Sequence, residues 1–342
     1  MKVLRLVGAQ QVRLQDEPVP VPGPGEVLIR VGAVGICGSD LHWFAEAGIG
    51  DARLQQPLVL GHEFAGTIVS GPRQRERVAV DPAMPCGHCE FCLEGNPNLC
   101  LGVRFAGHDK QDGAMREYLA WPEQNLHSLP DALSFEDGAM LEPLGVALHA
   151  VNLAGLKAGM SVGIFGCGPI GLLILQLARA SGADQILTSE VLPHRMEAAR
   201  LMGAGLVWDA SAGNEGAEML AATHGRGVDV AFEAAGVNAA VDSAVTAVKP
   251  GGKVILAGIP AEDRTSFSAS TARRKGLTFM LVRRMKHTYP RSIRLVEKGI
   301  VDVRSLVTHC FSLEEGSKAF GLALERQGLK IMFKLGAESK SK

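Results

Sequence analysis

The chain has 342 residues, of which 46% are apolar, and a formal net charge of −1. This length and apolar content suffice for about two domains with buried cores. A nearly neutral chain has no general attraction for nucleic acids or anionic membranes, so neither is expected as a partner. No stretch is apolar enough to span a membrane, and the N-terminus lacks a signal-peptide pattern. We therefore expect a cytoplasmic protein, in which clustered thiols bind metal more often than they form disulfides.

The chain divides into segments of different periodicity. Short alternating runs such as EVLIRVGAV and EFAGTIVS predict a β-rich region over residues 1–80. Near residue 134 the run SFEDGAMLEPLGVALHAVNLAG predicts one long helix with Ser134 as its N-cap.

From residue 161 strands alternate with helical segments, which predicts a doubly wound parallel sheet. The strand candidates are SVGIFG, DQILTSE, GLVWDA, VDVAFEAAG and GGKVILAGI. A helix at PRSIRLVEKG, short strands at LVTHCFSL and IMFKLG, and a solvated tail, AESKSK, follow.

A glycine-rich turn follows the first strand of this sheet. Glu190 lies nineteen residues after the last glycine, at the end of the next predicted strand. In this context GxGxxG predicts a dinucleotide site with the pyrophosphate at a helix N-terminus, whereas alone it would indicate only a tight turn. Glu190 favours NAD over NADP, and Arg195 weakens that preference because it could accommodate a 2′-phosphate. The turn consists of Gly166, Cys167, Gly168, Pro169, Ile170 and Gly171.

Two upstream segments carry candidate zinc ligands. GICGSDLH contains Cys37 and His42, and GHE contains His62 and Glu63. Thiolate, imidazole and carboxylate together suit catalytic zinc, which keeps one position open. Taken singly, each residue has a simpler explanation, since a lone cysteine is usually a small buried hydrophobe and a lone histidine usually lies in the core or on the surface.

Four of the seven cysteines form a separate cluster with the spacing C-x2-C-x2-C-x7-C, namely Cys86, Cys89, Cys92 and Cys100. Four thiolates close a tetrahedral shell, which predicts a structural zinc site. The alternatives are a reduced cysteine loop, an iron–sulfur site and a nucleic-acid zinc ribbon. Residues 81–100 contain acids but no Lys or Arg, which argues against the ribbon, and His88 is interpreted as a bystander.

In this order and spacing the motifs resemble those of the zinc-dependent medium-chain alcohol and polyol dehydrogenases, most closely the sorbitol (L-iditol) dehydrogenase branch. The resemblance also includes GIGD, EPLGVALHA, KPGGKVILAG and LVTHCFSLEE, and covers nearly the whole chain. It implies an α/β protein with a discontinuous β-rich GroES-like catalytic domain at 1–146 and 286–342. A structural zinc lobe at 81–104 belongs to this domain, which encloses an NAD-binding Rossmann domain at 147–285.

The resemblance also implies roles for individual residues. Catalytic zinc would be held by Cys37, His62 and Glu63, with Glu142 acting directly or through water, and Asp40 would orient His62. A proton relay would run from Ser39 through a nicotinamide-ribose hydroxyl to His42. The family's polyol contacts map to Trp43, Glu142 and Arg284. Further cofactor contacts map to Ala257, Gly258, Ile259, Val282 and Arg284.

The chain departs from the family pattern at three places. Trp43 and Met285 stand where the family commonly has tyrosines, which favours a shorter or less polar alcohol. Residues 264–296 carry nine basic residues and no acid, a pattern typical of a solvated or intersubunit face but also compatible with a phosphorylated sugar alcohol. The loop SGPRQRERVAV is abbreviated, which we expect to alter only the surface.

The expected function is oxidation of a secondary alcohol, of the polyol type, to a ketone by an NAD-dependent enzyme with two zinc ions per chain. Homodimer and homotetramer both fit the wider family. The alternatives within the enzyme class are an L-threonine 3-dehydrogenase and a sugar-alcohol phosphate dehydrogenase. A non-catalytic NAD-binding or zinc-binding protein is the alternative of another class.

Overall fold

The computed structural model describes residues 1–336, so the predicted tail AESKSK lies outside the described residues. The chain divides into two compact units. The first consists of Met1–Glu142, Tyr289–Glu297 and the chain from Val303 onward. The second consists of Pro143–Thr288 and Lys298–Asp302.

Strands and helices follow one another in the described residues. The strands are β1 Lys2–Gly8, β2 Gln11–Asp16, β3 Glu26–Gly35, β4 Gly48–Ile49, β5 Ala52–Arg53, β6 Leu58–Val59, β7 Glu63–Ile68, β8 Arg77–Val80, β9 Ala83–Met84, β10 Arg104–Phe105, β11 Tyr118–Pro122, β12 Leu126–Ser128, β13 Ser161–Phe165, β14 Gln185–Glu190, β15 Leu206–Asp209, β16 Val228–Glu233, β17 Val248–Leu256, β18 Thr278–Leu281, β19 Val307–Phe311 and β20 Lys330–Lys334. The α-helices are α1 Gly38–Glu46, α2 Glu90–Leu93, α3 Phe135–Ala139, α4 Leu141–Ala154, α5 Pro169–Ala180, α6 Pro193–Leu201, α7 Glu215–Ala222, α8 Asn238–Ala247, α9 Ala269–Lys275, α10 Tyr289–Glu297 and α11 Gly316–Leu324.

The first unit is built on a sheet with the order β12-β8-β7-β3-β20-β19, and β11 also pairs with β3. β3 is the central strand, antiparallel to β7 and to β20. Its partner residues include Gly35 opposite both Glu63 and Met332. Large side chains such as Phe64, Trp121 and Phe333 fill the core beside this sheet. The C-terminal strand therefore lies directly beside the strand that leads into Cys37.

The second unit contains a parallel sheet with the order β15-β14-β13-β16-β17-β18. In chain order this is the 3-2-1-4-5-6 arrangement of a Rossmann fold, in which ligands bind at the carboxyl ends of the strands. β13 is buried at every position and β16 likewise, as expected for parallel strands covered on both faces. The predicted doubly wound sheet is confirmed.

The prediction of a helix after Ser134 is wrong in one respect, because the segment forms two helices, α3 and α4. Ser134 is the N-cap as predicted, and forms a reciprocal capping pair with Asp137. α3 ends at Ala139, and α4 begins at Leu141. Pro143 has no N–H to donate to the carbonyl four residues earlier, so the helical hydrogen-bond ladder is interrupted here and restarts with Pro143 in its first turn.

Helices that could traverse a lipid bilayer are not found among residues 1–336, since each is too short or too polar.

Candidate metal centres and nucleotide site

In the first unit, Cys37, His62 and Glu63 form a candidate metal-ligating group. Cys37 is the N-cap residue of α1, while His62 and Glu63 stand where β7 begins. One ligand atom from each residue lies within 4.8 Å of the other two. Gly61, with a φ of +95°, provides the left-handed turn that leads into His62. The donor set fits zinc with a fourth position left for substrate.

Asp40 is buried and positions two of these ligands. Its carboxylate accepts hydrogen bonds from the backbone N–H of Cys37 at 2.9 Å and of Gly61 at 3.3 Å. The same carboxylate lies 3.4 Å from Nδ1 of His62. Burial alone would lower the pKa of His62, but Asp40 and Cys37 outweigh burial and raise that pKa well above its ordinary value. Asp40 therefore orients the imidazole with Nε2 left as the ligand atom.

Glu63 is fully buried and faces Lys330, which sequence reasoning did not single out. Nζ of Lys330 donates to Oε1 of Glu63 at 2.6 Å and lies 2.5 Å from Oε2. Both carboxylate oxygens of Glu63 therefore share the Lys330 ammonium. A buried carboxylate whose charge is held in this way has the chemistry of a metal ligand. The signal available in the sequence was a lysine at the head of the apolar run KIMF.

Lys330 is charged in this setting. Burial lowers its pKa, but the carboxylate of Glu63 and the thiol group of Cys37 outweigh burial, so that the pKa of Lys330 is raised from its ordinary value. A buried ammonium is tolerated only when it is paired in this way.

Glu142 lies buried near the start of α4, in the first unit. It does not belong to the group whose ligand atoms lie within 4.8 Å of one another among the described residues. Burial raises its pKa to about 8, and the nearby charge of Glu63 adds to the effect. Its predicted part in the zinc site, directly or through water, stays a prediction.

Ser39 and His42 lie three residues apart on α1, and both are partly exposed. Residues at this spacing share one face of a helix. Oγ of Ser39 lies 3.4 Å from Nε2 of His62, which places the hydroxyl beside the metal-ligating group. The predicted relay through these two residues stays a prediction.

Two aromatic contacts lie in the same unit as this group. Trp43 is 1% exposed and its ring meets that of His108 edge-on, with centroids 5.5 Å apart. Its Nε1 has no hydrogen-bond partner among the described residues. The ring of Phe105, in β10, lies 5.1 Å from that of His62, a contact that sequence reasoning missed because the two residues are far apart in the chain. The predicted polyol contact of Trp43 stays a prediction.

The four clustered cysteines form the second metal-ligating group of the described residues. All four are free thiols, and Sγ of Cys86 lies 4.0 Å from Sγ of Cys92. Backbone N–H groups point at two of the sulfurs, from Cys89 to Cys86 and from Cys86 to Cys100, both at 3.3 Å. The backbone N–H groups of His88 and Cys89 lower the pKa of Cys86 to about 6. The set fits a closed four-thiolate zinc shell.

The glycine turn connects β13 to α5 in the second unit. Gly166 has a φ of +99°, Gly168 is the N-cap residue of α5, and Pro169 occupies its first turn. A Cβ at Gly171 would lie 1.9 Å from the carbonyl oxygen of Gly166, so only glycine fits there. The N–H groups at the start of α5 remain available for an anion such as pyrophosphate.

Glu190 ends β14 and is buried beside this turn. Its carboxylate accepts hydrogen bonds from the backbone N–H groups of Cys167 at 2.9 Å, Val191 at 2.7 Å and Leu192 at 3.1 Å. A side chain at Gly168 would come within 3.4 Å of the Arg195 guanidinium, which therefore lies over the turn. The acid and the cation predicted to select the nucleotide are thus both next to the glycine turn.

The remaining predicted cofactor residues follow strands of the same sheet. Ala257 and Gly258 come directly after β17, and their N–H groups donate to the carbonyl of Glu233. Ile259 is 51% exposed, and Val282 donates its N–H to the carbonyl of Leu256. Arg284 follows β18 with a φ of +54°. Their cofactor contacts, and the substrate contact of Arg284, stay predictions.

The basic run 264–296 is divided between the two units. Lys275 donates to the carbonyls of Val245, Thr246 and Val248, where α8 ends, and so caps that helix. Arg291 and Arg294 belong to α10 in the first unit, whereas the residues up to Thr288 belong to the second.

Two family models match the chain. The alcohol dehydrogenase GroES-like domain matches residues 23–131, and the zinc-binding dehydrogenase domain matches residues 169–298. Together with the parallel sheet, the glycine turn and the two metal-ligating groups, these matches define a zinc-dependent oxidoreductase.

Individual proteins agree with the family models. A sorbitol dehydrogenase of Bacillus subtilis is 37% identical over 340 residues, covering 97% of this chain and 96% of the relative. An Escherichia coli oxidoreductase/dehydrogenase of unknown specificity gives a TM-score of 0.91 at 33% identity, covering 97% and 98% of the two chains. The 2R,3R-butanediol dehydrogenase of Bacillus subtilis gives a TM-score of 0.86 at 31% identity, and the match covers 98% of this chain and 99% of that protein. The chain therefore belongs to the zinc-binding dehydrogenase family, which confirms the resemblance.

Proposed function

We propose that the protein oxidises a secondary hydroxyl of a polyol to a ketone, with zinc held by Cys37, His62 and Glu63 and with NAD as oxidant. The observation that carries the proposal is the convergence of a thiol sulfur, an imidazole nitrogen and a carboxylate oxygen within 4.8 Å of one another. The relative named sorbitol dehydrogenase supports the polyol as substrate class.

The protein's own residues prepare the reaction. Bound zinc supplies the Lewis acidity that eases loss of an alcohol proton, and NAD supplies the hydride acceptor. Asp40 fixes the ring of His62, and Lys330 holds the carboxylate of Glu63. Oγ of Ser39, 3.4 Å from Nε2 of His62, would accept the alcohol proton and release its own proton to a nicotinamide-ribose hydroxyl. That hydroxyl would in turn pass a proton to His42, which releases one to water.

The four-cysteine group has a structural role in this proposal. Four thiolates leave no coordination position for an alcohol, so a zinc ion there stabilises the lobe and takes no part in hydride transfer. Two zinc ions per chain follow, of which the one at Cys37 is required for turnover.

Glu190 selects NAD in this proposal. Its carboxylate sits at the end of β14 beside the glycine turn, where it would bind ribose hydroxyls and repel a 2′-phosphate. Arg195 lies close enough to the turn to reduce that discrimination.

A substrate panel tests the proposed reaction. Xylitol, sorbitol, 2,3-butanediol, L-threonine and a phosphorylated polyol are each offered with NAD, and NADH absorbance is followed. We expect turnover with at least one polyol, and its loss when a chelator removes the zinc at Cys37. Turnover confined to L-threonine would refute the polyol assignment, and preference for the phosphorylated polyol would give the basic run a role.

A protein that only binds NAD or zinc is the remaining alternative. It would bind both ligands in the same preparations but reduce no NAD with any alcohol of the panel. Zinc content measured on the same sample separates this outcome from an enzyme that has merely lost its metal.

Assembly as a homodimer or homotetramer is part of the proposal. β18 is an edge strand of the parallel sheet, carries no charge over Thr278–Leu281, and leaves Leu281 73% exposed. An unprotected apolar edge of this kind favours pairing with another chain. A cytoplasmic location is proposed with it, because the clustered thiols need a reducing compartment.

A further inference from the structure

Lys330 makes two buried polar contacts, one with Glu63 and one with the residue that precedes Cys37. Its Nζ donates to Oε1 of Glu63 at 2.6 Å and to the carbonyl oxygen of Ile36, the residue before Cys37, at 3.0 Å. The residue is 3% exposed. One ammonium therefore touches both chain segments that supply the proposed ligands.

The side chain of Glu63 fills a space that exists only because residue 35 is glycine. A Cβ at Gly35 would lie 2.1 Å from Oε2 of Glu63, so the carboxylate occupies space that any other residue at position 35 would fill. Gly35 and Glu63 are opposite each other in the pairing of β3 with β7. Glycine on one side and Lys330 on the other thus confine the carboxylate, and the ammonium lies within 2.6 Å of both of its oxygens.

We infer that Lys330 replaces zinc as the partner of Glu63 whenever the metal is absent, and that it thereby lowers the zinc affinity of the site. The inference rests on the proposed zinc site at Cys37, His62 and Glu63.

Charge balance gives the direction of the effect. A thiolate from Cys37 and the carboxylate of Glu63 bring two negative charges, which one divalent zinc ion neutralises. With zinc bound, Lys330 is an additional buried cation that repels the metal. Without zinc, Lys330 compensates the buried charge of Glu63, whose isolation would be costly. Lys330 therefore stabilises the metal-free protein more than the loaded one, and by linkage it weakens zinc binding.

The test measures zinc affinity in the full-length protein with Lys330→Met and Lys330→Arg. Zinc alone is titrated against a chromophoric chelator, and thermal unfolding is recorded with and without the metal. We expect Lys330→Met to bind zinc at the Cys37 group at least about tenfold more tightly than the unsubstituted protein. Its metal-free form should melt at a lower temperature, so that zinc raises the melting temperature more than it does in the unsubstituted protein.

Two variants provide controls. Lys330→Arg keeps the charge and should retain nearly the original zinc affinity. Lys334→Met removes an exposed lysine of the same strand that pairs with Glu136 and not with Glu63, so zinc affinity should be unchanged. If metal-free Lys330→Met does not fold, the loaded protein is mixed with excess chelator and zinc release is timed, with slower release expected.

Unchanged or weaker zinc binding by folded Lys330→Met, or unchanged or faster release from its loaded form, would overturn the inference. Unchanged zinc affinity would mean that Lys330 stabilises the metal-free and the zinc-loaded protein equally. Weaker zinc affinity would mean that Lys330 preorganises the site for the metal. No substrate is present in these measurements, so they can fail while polyol oxidation holds, and they can succeed in a protein that oxidises no polyol.

Discussion

Glu190 shows how one carboxylate can join a strand end to the glycine turn. Three backbone N–H groups, from Cys167, Val191 and Leu192, hold it in place. The sequence predicted this residue from its spacing to the turn alone. These three hydrogen bonds could not be predicted, because they depend on how β14 ends beside β13.

Replacing Glu190 by Ala tests nucleotide selection. The ratio of kcat/KM for NADP to that for NAD should rise at least about tenfold, because a 2′-phosphate no longer meets a fixed negative charge. Steady-state kinetics with both nucleotides provide the measurement. Glu197→Ala, at an exposed position of α6, serves as the control and should leave the ratio unchanged. An unchanged ratio in Glu190→Ala would remove this residue from nucleotide selection.

His127 makes the free energy of unfolding depend on pH. Its ring stacks on that of Tyr289, with centroids 4.5 Å apart, and burial together with Arg73 lowers the pKa of His127 to about 4. A folded-state pKa below the ordinary value of 6.5 means that folding favours the neutral ring. This contribution is complete above pH 6.5 and is lost as the pH falls from there towards about 4.

Replacing His127 by Phe should therefore flatten the stability curve on its acid side. Melting temperatures are recorded between neutral pH and the acid limit of the folded state for both proteins. The variant should lose less stability than the unsubstituted protein over that window. His194→Phe, at an exposed position, should show the original pH dependence. Parallel curves for His127→Phe and the unsubstituted protein would contradict the assignment.

At the scale of elements, we expect the folding of the zinc lobe at 81–104 to depend on its metal more than on a hydrophobic core. α2 spans only Glu90–Leu93 and has no buried residue. Leu93 and Leu101 are 75% and 89% exposed. With so little apolar burial, the four thiolates and their zinc must supply most of the energy that folds this lobe.

Replacing Cys92 by Ala should lower the melting temperature by several degrees and the zinc content from about two to about one per chain. Turnover per folded molecule should be affected less than stability. Calorimetry, metal analysis and kinetics on one preparation measure all three quantities. Full stability and zinc content combined with lost turnover would reverse the roles of the two metal groups.

Local signals predicted most elements but not their long-range partners. The parallel sheet was predictable because each strand, glycine turn and helix is encoded within a short stretch. The predicted helix that starts after Ser134 is broken between Ala139 and Leu141. Pro143 encodes this break, but the apolar periodicity of the sequence continues across it and hides it. The contact between Lys330 and Glu63 spans 267 residues of sequence, so no local pattern could predict it.

At the scale of the whole molecule, the chain returns to its first unit after passing through the second. β20 pairs with β3, and this pairing brings Lys330 to the metal-ligating group. The C-terminal strand therefore supplies the cation beside the proposed zinc site. The glycine turn and Glu190, in contrast, follow from two consecutive strands of the second unit, β13 and β14.

The central claim is that catalysis depends on the Cys37 group and not on the cluster that holds most of the cysteines. Its most direct test compares Cys37→Ala with the unsubstituted protein, measuring NAD reduction by the best polyol of the panel together with zinc content and melting temperature. We predict loss of turnover by at least about a thousandfold, loss of one zinc ion, and a folded chain. A folded Cys37→Ala protein that oxidises the polyol at the original rate would contradict the account.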